Sequence, residues 1–132
     1  MSLVNAALND RWNSVPLLTT LYTPSERKSL TVWQITPDEM HISTEGGTEM
    51  KITRSAFSAS LNYLLEQGHV ASHPCAIASD QLRSEAGPLC LAARDANSES
   101  GGTRVITYVL PILKEMGLVE INSEIPNTVW LT

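Results

Sequence analysis

The C-terminal quarter of the chain holds the pattern that most constrains its fold. An apolar-periodic run at residues 104–116 follows Thr103, and threonine is a residue type that commonly caps the start of a helix. Gly117 stands just past the run, where glycine commonly ends a helix. Two short β-like segments follow at residues 118–121 and 129–131, with a polar connection between them. The order predicts a helix that stops at a glycine and continues directly into a hairpin.

The middle of the chain predicts two further helices with a short extended segment between them. The first helix covers residues 54–67, because apolar side chains recur there at helical spacing behind Thr53, an N-capping residue type. The second covers residues 88–96, which begin with a proline and continue with small apolar side chains. The extended segment is expected near Cys75. Pro111 lies inside the C-terminal helix and predicts a kink or a later helix start, because proline lacks a backbone donor.

Residues 30–52 predict a three-stranded antiparallel meander. Apolar, β-branched and aromatic residues alternate in this segment with polar ones, a period typical of half-buried strands. Turn residues around Pro37 and around Gly46 separate the three strands. A further turn is predicted at residues 98–102, between the second and third helices.

The three tryptophans lead to different expectations. Trp33 and Trp130 fall in predicted strands, and we expect both in the core because each ring buries a large apolar area. Trp12 lies in a less constrained segment and is open to a surface or interface role. The surrounding residues 8–21 are compatible with one helix or with irregular structure.

Composition bounds the class of protein. A chain of 132 residues with 42% hydrophobic and 17% charged residues predicts one soluble domain with a single core. Within it, residues 1–52 would supply an N-terminal segment and the meander, and residues 53–132 the helical part. We find no apolar stretch that suits a membrane helix and no secretory signal pattern. Two cysteines are too few for a disulfide scaffold, so we expect a cytoplasmic protein with reduced thiols.

The sequence contains no motif of catalysis or of cofactor binding. Neither a Gly-x-Ser-x-Gly pattern nor a glycine-rich phosphate loop occurs, and we predict that the protein is not an enzyme and needs no cofactor. His69, His73, Cys75 and Cys90 are residue types that bind zinc, but their spacing matches no zinc motif. We therefore expect two loop histidines and two core cysteines rather than a metal site.

The segment 53–131 resembles a winged helix-turn-helix domain in its order of three helices and a hairpin, or wing. The fold class expected from the whole chain is α+β, a three-stranded antiparallel meander followed by a winged helix-turn-helix. In that family the third helix enters the major groove of double-stranded DNA and the wing contacts phosphate or the minor groove. The resemblance thus implies a non-catalytic DNA-binding domain. Its contact positions here would be Thr103, Arg104, Thr107 and Tyr108 on the third helix and Asn127 on the wing.

A second resemblance concerns residues 42–48 and 52–57, which are similar to small modules attached to bacterial restriction-type DNA enzymes. No nuclease pattern accompanies them, so the likeness implies an accessory or specificity part. Because Arg104 alone would give little affinity, we expect the protein to work as a homodimer or within a larger assembly.

The acidic net charge of the chain favours a function other than DNA binding. The chain carries a net charge of −5 with nine lysines and arginines, whereas DNA binding depends on clustered cations. The predicted wing contains Glu124 and neither lysine nor arginine. The same fold could therefore serve as a protein-interaction or dimerisation module without DNA contact, using residues 30–52 as a strand edge or apolar face.

Overall fold

The computed structural model describes residues 2–97 and 103–132, and these form a mixed α+β fold. The turn predicted at residues 98–102 lies outside the described residues. No helix in these two ranges is long and apolar enough to cross a membrane. The helices are α1 (Leu3–Arg11), α2 (Arg54–Glu66), α3 (Pro88–Ala96) and α4 (Ile106–Glu115). The strands are β1 (Thr20–Tyr22), β2 (Ser29–Ile35), β3 (Glu39–Thr44), β4 (Glu49–Thr53), β5 (Cys75–Ala76), β6 (Val119–Asn122) and β7 (Thr128–Leu131).

The first sheet is an antiparallel meander in the order β1-β2-β3-β4. The three strands expected from the sequence are present, and β1 adds a fourth at the edge beside β2, with Leu21 opposite Leu30. The sequence did not indicate β1, because a three-residue strand with a single buried side chain shows no usable alternation.

The inner face of the meander forms one side of the core. Val32, Met40 and Ile42 are completely buried there. Since neighbouring side chains on a strand point to opposite faces, the burial of Val32 turns Trp33 outward, where its ring is 37% exposed and meets His41 edge-on. The expectation that Trp33 packs in the core was wrong.

The other two tryptophans also differ from expectation. Trp130 is only partly buried on β7, because its neighbour Val129 takes the core side. Trp12 is 2% exposed, in the short 3-10 turn that follows α1. Its indole N–H donates to the carbonyl of Thr36 at 2.6 Å, and its ring packs edge-on against Phe57 at 5.2 Å. Trp12 therefore fixes the N-terminal segment against both the meander and α2.

The second sheet is three-stranded, in the order β5-β7-β6. The chain leaves α4 through Gly117, whose φ of +78° is readily adopted by glycine, and continues directly into β6. Val119 then lies opposite Leu131, and β7 also pairs with β5 at Cys75. The predicted order of helix, glycine and hairpin is confirmed, as is the extended segment at Cys75.

Helices α2 and α4 begin at or near the residues expected from the sequence, but the expected threonine side chains do not cap them. Thr53 does precede α2, but its hydroxyl forms no cap and donates to the carbonyl of Ala96 at 3.3 Å. The C-terminal helix begins at Ile106 with Val105 at the N-cap, so Thr103 is not its cap. A later start was one of the two outcomes expected from Pro111, which lies within α4.

Asn97, at the end of α3, joins the helices to the meander. Its fully buried side chain accepts from the backbone N–H of Thr53 at 2.8 Å and donates to the carbonyl of Lys51 at 3.3 Å. Both partners belong to β4, at the point where the meander passes into α2. The buried apolar side chains of the helices and of both sheets form one core cluster.

Candidate anion-binding cleft

A concave site lies beside the start of α4. It is a cavity of about 470 Å³, which we call the basic cleft. Four separate segments line it. They are drawn from residues 23–28 after β1, residues 76–79 at the end of β5 and beyond it, residues 104–108 at the start of α4, and residues 125–127 between β6 and β7.

The charge of the basic cleft is opposite to that of the whole chain. Arg27, Lys28 and Arg104 line it, three of the nine lysines and arginines, and no aspartate or glutamate does. None of the three forms a salt bridge with any residue in the described ranges. The nearby Glu26 lines a different cavity on the other side of its turn. Three unneutralised cations on one concave surface create a local positive potential in a chain of net charge −5.

Most other basic side chains have partners. Arg83 pairs with Asp95, and Arg11 with Asp10. Arg54 donates to Asn9 and lies over the Trp12 ring. These groups are held in structural contacts, which leaves the cations of the basic cleft among the few free to bind an anion.

A tight turn between β1 and β2 places Arg27 and Lys28 on the rim. The backbone N–H of Thr23 donates to the carbonyl of Lys28 at 2.9 Å, and Glu26 donates to the carbonyl of Thr23 at 2.7 Å. Glu26 adopts a φ of +61° to close the turn, while Thr23 is 7% exposed beneath it. Both basic side chains are left exposed at the mouth of the cleft.

The segment after β5 is fixed by contacts on both of its sides. Ile77 donates its N–H to the carbonyl of Asn127 at 3.1 Å, and Gly87 donates to the carbonyl of Ala78 at 2.9 Å. Ala78 has a φ of +45°, a backbone conformation that costs about 1 kcal/mol or more in a non-glycine residue. The buried Arg94 of α3 donates to the carbonyls that follow, at Asp80 and Gln81. Arg94 of α3, and Gly87 just before that helix, therefore position this wall of the cleft.

The start of α4 supplies the deepest polar groups. Arg104 is half-buried just before the helix, and Thr107 and Tyr108 are half-buried in its first turn. The hydroxyl groups of Thr107 and Tyr108 bond to no residue that the structure describes. Pro111 cannot donate to the carbonyl of Thr107, so that acceptor lacks its usual helical partner. The first backbone amides of a helix also lack intrahelical acceptors and favour anions.

The side chain of Asn127 mainly forms hydrogen bonds within its own loop. Its side-chain nitrogen donates to the carbonyls of Ser123 at 2.8 Å and Glu124 at 3.2 Å, which braces the connection between β6 and β7. Only its side-chain oxygen remains available to a ligand. Asn127 therefore shapes the cleft more than it offers donors to it.

The structure brings together four of the five residues predicted as a site. Arg104, Thr107, Tyr108 and Asn127 all line the basic cleft, whereas the exposed Thr103 does not. Sequence reasoning missed the contribution of residues 27–28, which were not among the predicted contact positions. The available signal was that Arg27 and Lys28 form the longest run of basic residues in the chain.

Helix α4 presents little surface to the outside. Six of its ten residues are buried, and the exposed ones, Lys114 and Glu115, lie at its C-terminal end. Strand β1 and helices α2 and α3 pack against it. Insertion into a DNA groove requires a helix face that is open along its length, and α4 exposes only the half-buried Thr107 and Tyr108 toward the cleft.

The histidine and cysteine group forms no metal site within the described ranges. His69 and His73 stack at 4.8 Å, and His69 Nδ1 contacts the carbonyl oxygen of His73 at 2.9 Å. Cys75 and Cys90 are buried free thiols, and burial raises the pKa of Cys75. Desolvation first, and the nearby Cys75 second, also raise the pKa of Tyr63. Cys75 belongs to the second sheet and Cys90 to α3, and none of these side chains is among the lining residues of the basic cleft.

The chain matches no family model, no curated protein and no solved structure.

Proposed function

We propose that the protein is a non-catalytic DNA-binding domain that holds the phosphate backbone in the basic cleft. The observation that carries the proposal is the lining itself, with three unpaired cations and no carboxylate in a chain of net charge −5. Phosphate binding by lysine and arginine releases counterions and supplies most of the sequence-independent affinity for nucleic acids. Arg104 adds a planar donor array that can contact two phosphate oxygens at once.

The order of elements supports a winged-helix arrangement. Strand β5 follows α2, α3 and α4 come next, and β6 and β7 form the hairpin. The enclosed α4 differs from the inserted recognition helix that the resemblance implies. We therefore propose that DNA contacts the cleft, between residues 27–28 and the β6–β7 hairpin, and not an exposed face of α4. A single cleft of this size suits weak binding, strengthened in a homodimer or a larger assembly.

The proposal is tested by measuring how affinity for a labelled mixed-sequence duplex depends on salt. Each phosphate contact contributes a slope of about −0.9 to the plot of log affinity against log salt, so three cations predict a slope of roughly −2 to −3. Arg104→Gln should weaken binding at low salt and reduce the steepness by about one contact. Fluorescence anisotropy with the full chain gives both quantities.

Lys51→Gln is the matched control, because Lys51 is exposed on β4 and outside the basic cleft. It should leave affinity and slope unchanged. The proposal fails if the duplex does not bind at low salt, or if Arg104→Gln and Lys51→Gln behave alike.

A second candidate is a protein-interaction or dimerisation module that uses the outer face of the meander. The observation in its favour is Trp33, a large ring left 37% exposed on β2 beside His41. Exposed tryptophans are frequent anchors of protein interfaces. This surface lies apart from the basic cleft, so the two functions can be tested separately.

A further inference from the structure

We infer that the basic cleft admits a single unpaired nucleotide, with the phosphate at its rim and the base against Tyr108. The inference rests on the proposed function and names the form of nucleic acid that the site selects. It concerns a property that phosphate contacts alone would not produce, namely a preference for strands with accessible bases.

The shape of the site is the first argument. A helix that reads a duplex must project from the surface, whereas α4 is enclosed and its first turn faces a cavity. A volume of about 470 Å³ lies within the range of sites that enclose small organic ligands. An unpaired base can enter such a cavity, whereas a base that remains stacked inside a duplex cannot, so a duplex would contact the cleft through its phosphates alone.

The distribution of polar and apolar groups is the second argument. Three cations belong to the lining, with Arg27 and Lys28 exposed at the rim and Arg104 half-buried. The remaining lining is largely apolar or aromatic, and includes Ile77, Ile125 and Tyr108. An inorganic anion would use only the first group. A nucleotide joins an anionic phosphate to a planar base and would use both, because bases stack on aromatic side chains.

Uncommitted hydrogen-bonding groups are the third argument. The Thr107 hydroxyl and the Asn127 side-chain oxygen belong to lining residues and bond to no other residue that the structure describes. They offer acceptors and a donor to the edge of a base, as sites for unstacked bases do. The absence of a lining carboxylate removes the repulsion that a phosphate would otherwise meet.

Competition against a labelled single-stranded oligonucleotide tests the inference with the full chain. Deoxyadenosine monophosphate should displace the strand at concentrations roughly tenfold lower than inorganic phosphate, because stacking of one base supplies that difference. A duplex with a short unpaired tail should also bind more tightly than the same duplex with blunt ends.

Two variants test whether the ring of Tyr108 causes the advantage of the mononucleotide over inorganic phosphate. Tyr108→Leu should abolish the advantage of the mononucleotide over phosphate, and Tyr108→Phe should retain it, because stacking needs the ring and not the hydroxyl. Tyr22→Leu is the control, since Tyr22 is 57% exposed and outside the basic cleft. Far-ultraviolet circular dichroism and a thermal melt establish that each variant is folded.

The outcomes separate this inference from the proposed function. Equal competition by phosphate and mononucleotide, or an unchanged preference in Tyr108→Leu, overturns the inference, and salt-dependent duplex binding through Arg104 would then still stand. If Arg104→Gln has no effect on the binding of any strand or duplex, the proposed function itself is wrong.

Discussion

Gly87 has no room for a side chain, and this single residue sets how closely α3 approaches the wall of the basic cleft. A Cβ atom at Gly87 would lie 2.6 Å from the Cβ of Ala78, which is itself held at a φ of +45°. The methyl group of Ala78 is fixed to the backbone and cannot move aside alone. At the residue scale, the cleft thus depends on a contact between two of the smallest residues in the chain.

We predict that Gly87→Ala lowers the free energy of unfolding by about 1–3 kcal/mol, because an overpacked contact must displace backbone. It should also weaken phosphate binding by moving residues 78–79. Gly46→Ala is the control, because no atom lies within 4 Å of its added Cβ, and it should change stability by less than about 0.5 kcal/mol. Urea denaturation of both variants measures the difference; equal stabilities would contradict the steric argument.

At the scale of elements, local sequence identified most helices and strands but not the direction of individual side chains. Residues 54–66, 88–96 and the β6–β7 hairpin were predictable because glycine, proline and apolar periodicity act locally. The three short residues of β1 carry too little pattern to be recognised. The outward position of Trp33 depends on the burial of Val32 and on the irregular register between Val32 and Gln34.

The second candidate function gives a prediction for the outer face of the meander. If Trp33 anchors a homodimer, Trp33→Ser should raise the dimer dissociation constant by roughly tenfold or more, as loss of a central tryptophan commonly does. Sedimentation equilibrium over a range of concentrations measures that constant. Leu82→Ser removes an apolar side chain that is 64% exposed elsewhere and should have no effect. A monomer at every concentration would exclude self-association through this face.

At the scale of the whole molecule, one apolar core joins the two sheets and encloses the thiol of Cys75. Burial raises the pKa of Cys75, so the folded protein keeps a proton that the unfolded chain releases at about pH 8.5. The contribution of the protonated Cys75 thiol to the free energy of unfolding is therefore fully present below that pH, and it is lost as the pH rises toward the folded-state pKa.

We predict that the free energy of unfolding declines above about pH 8.5 and that Cys75→Ala makes this decline shallower. The residual decline would come from Tyr63, whose pKa burial also raises. Val129→Ala is the control, because Val129 is a buried side chain opposite Cys75 that carries no titratable group, and it should retain the slope of the unsubstituted protein. Urea denaturation between pH 7 and pH 10 provides the measurement, and identical slopes for the two variants would contradict the assignment.

The sequence by itself determined the α+β class, the antiparallel meander, and the passage from the last helix through Gly117 into a hairpin. These features follow from short-range causes, namely side-chain periodicity and the backbone preferences of glycine and proline. It also singled out Arg104, Thr107, Tyr108 and Asn127, although for a helix that inserts into a groove. Only the tertiary structure decided that α4 is enclosed and that Arg27 and Lys28 meet Arg104 across a cavity. Their meeting depends on the packing of the β1–β2 turn beside α4, a contact between distant segments that no local pattern encodes.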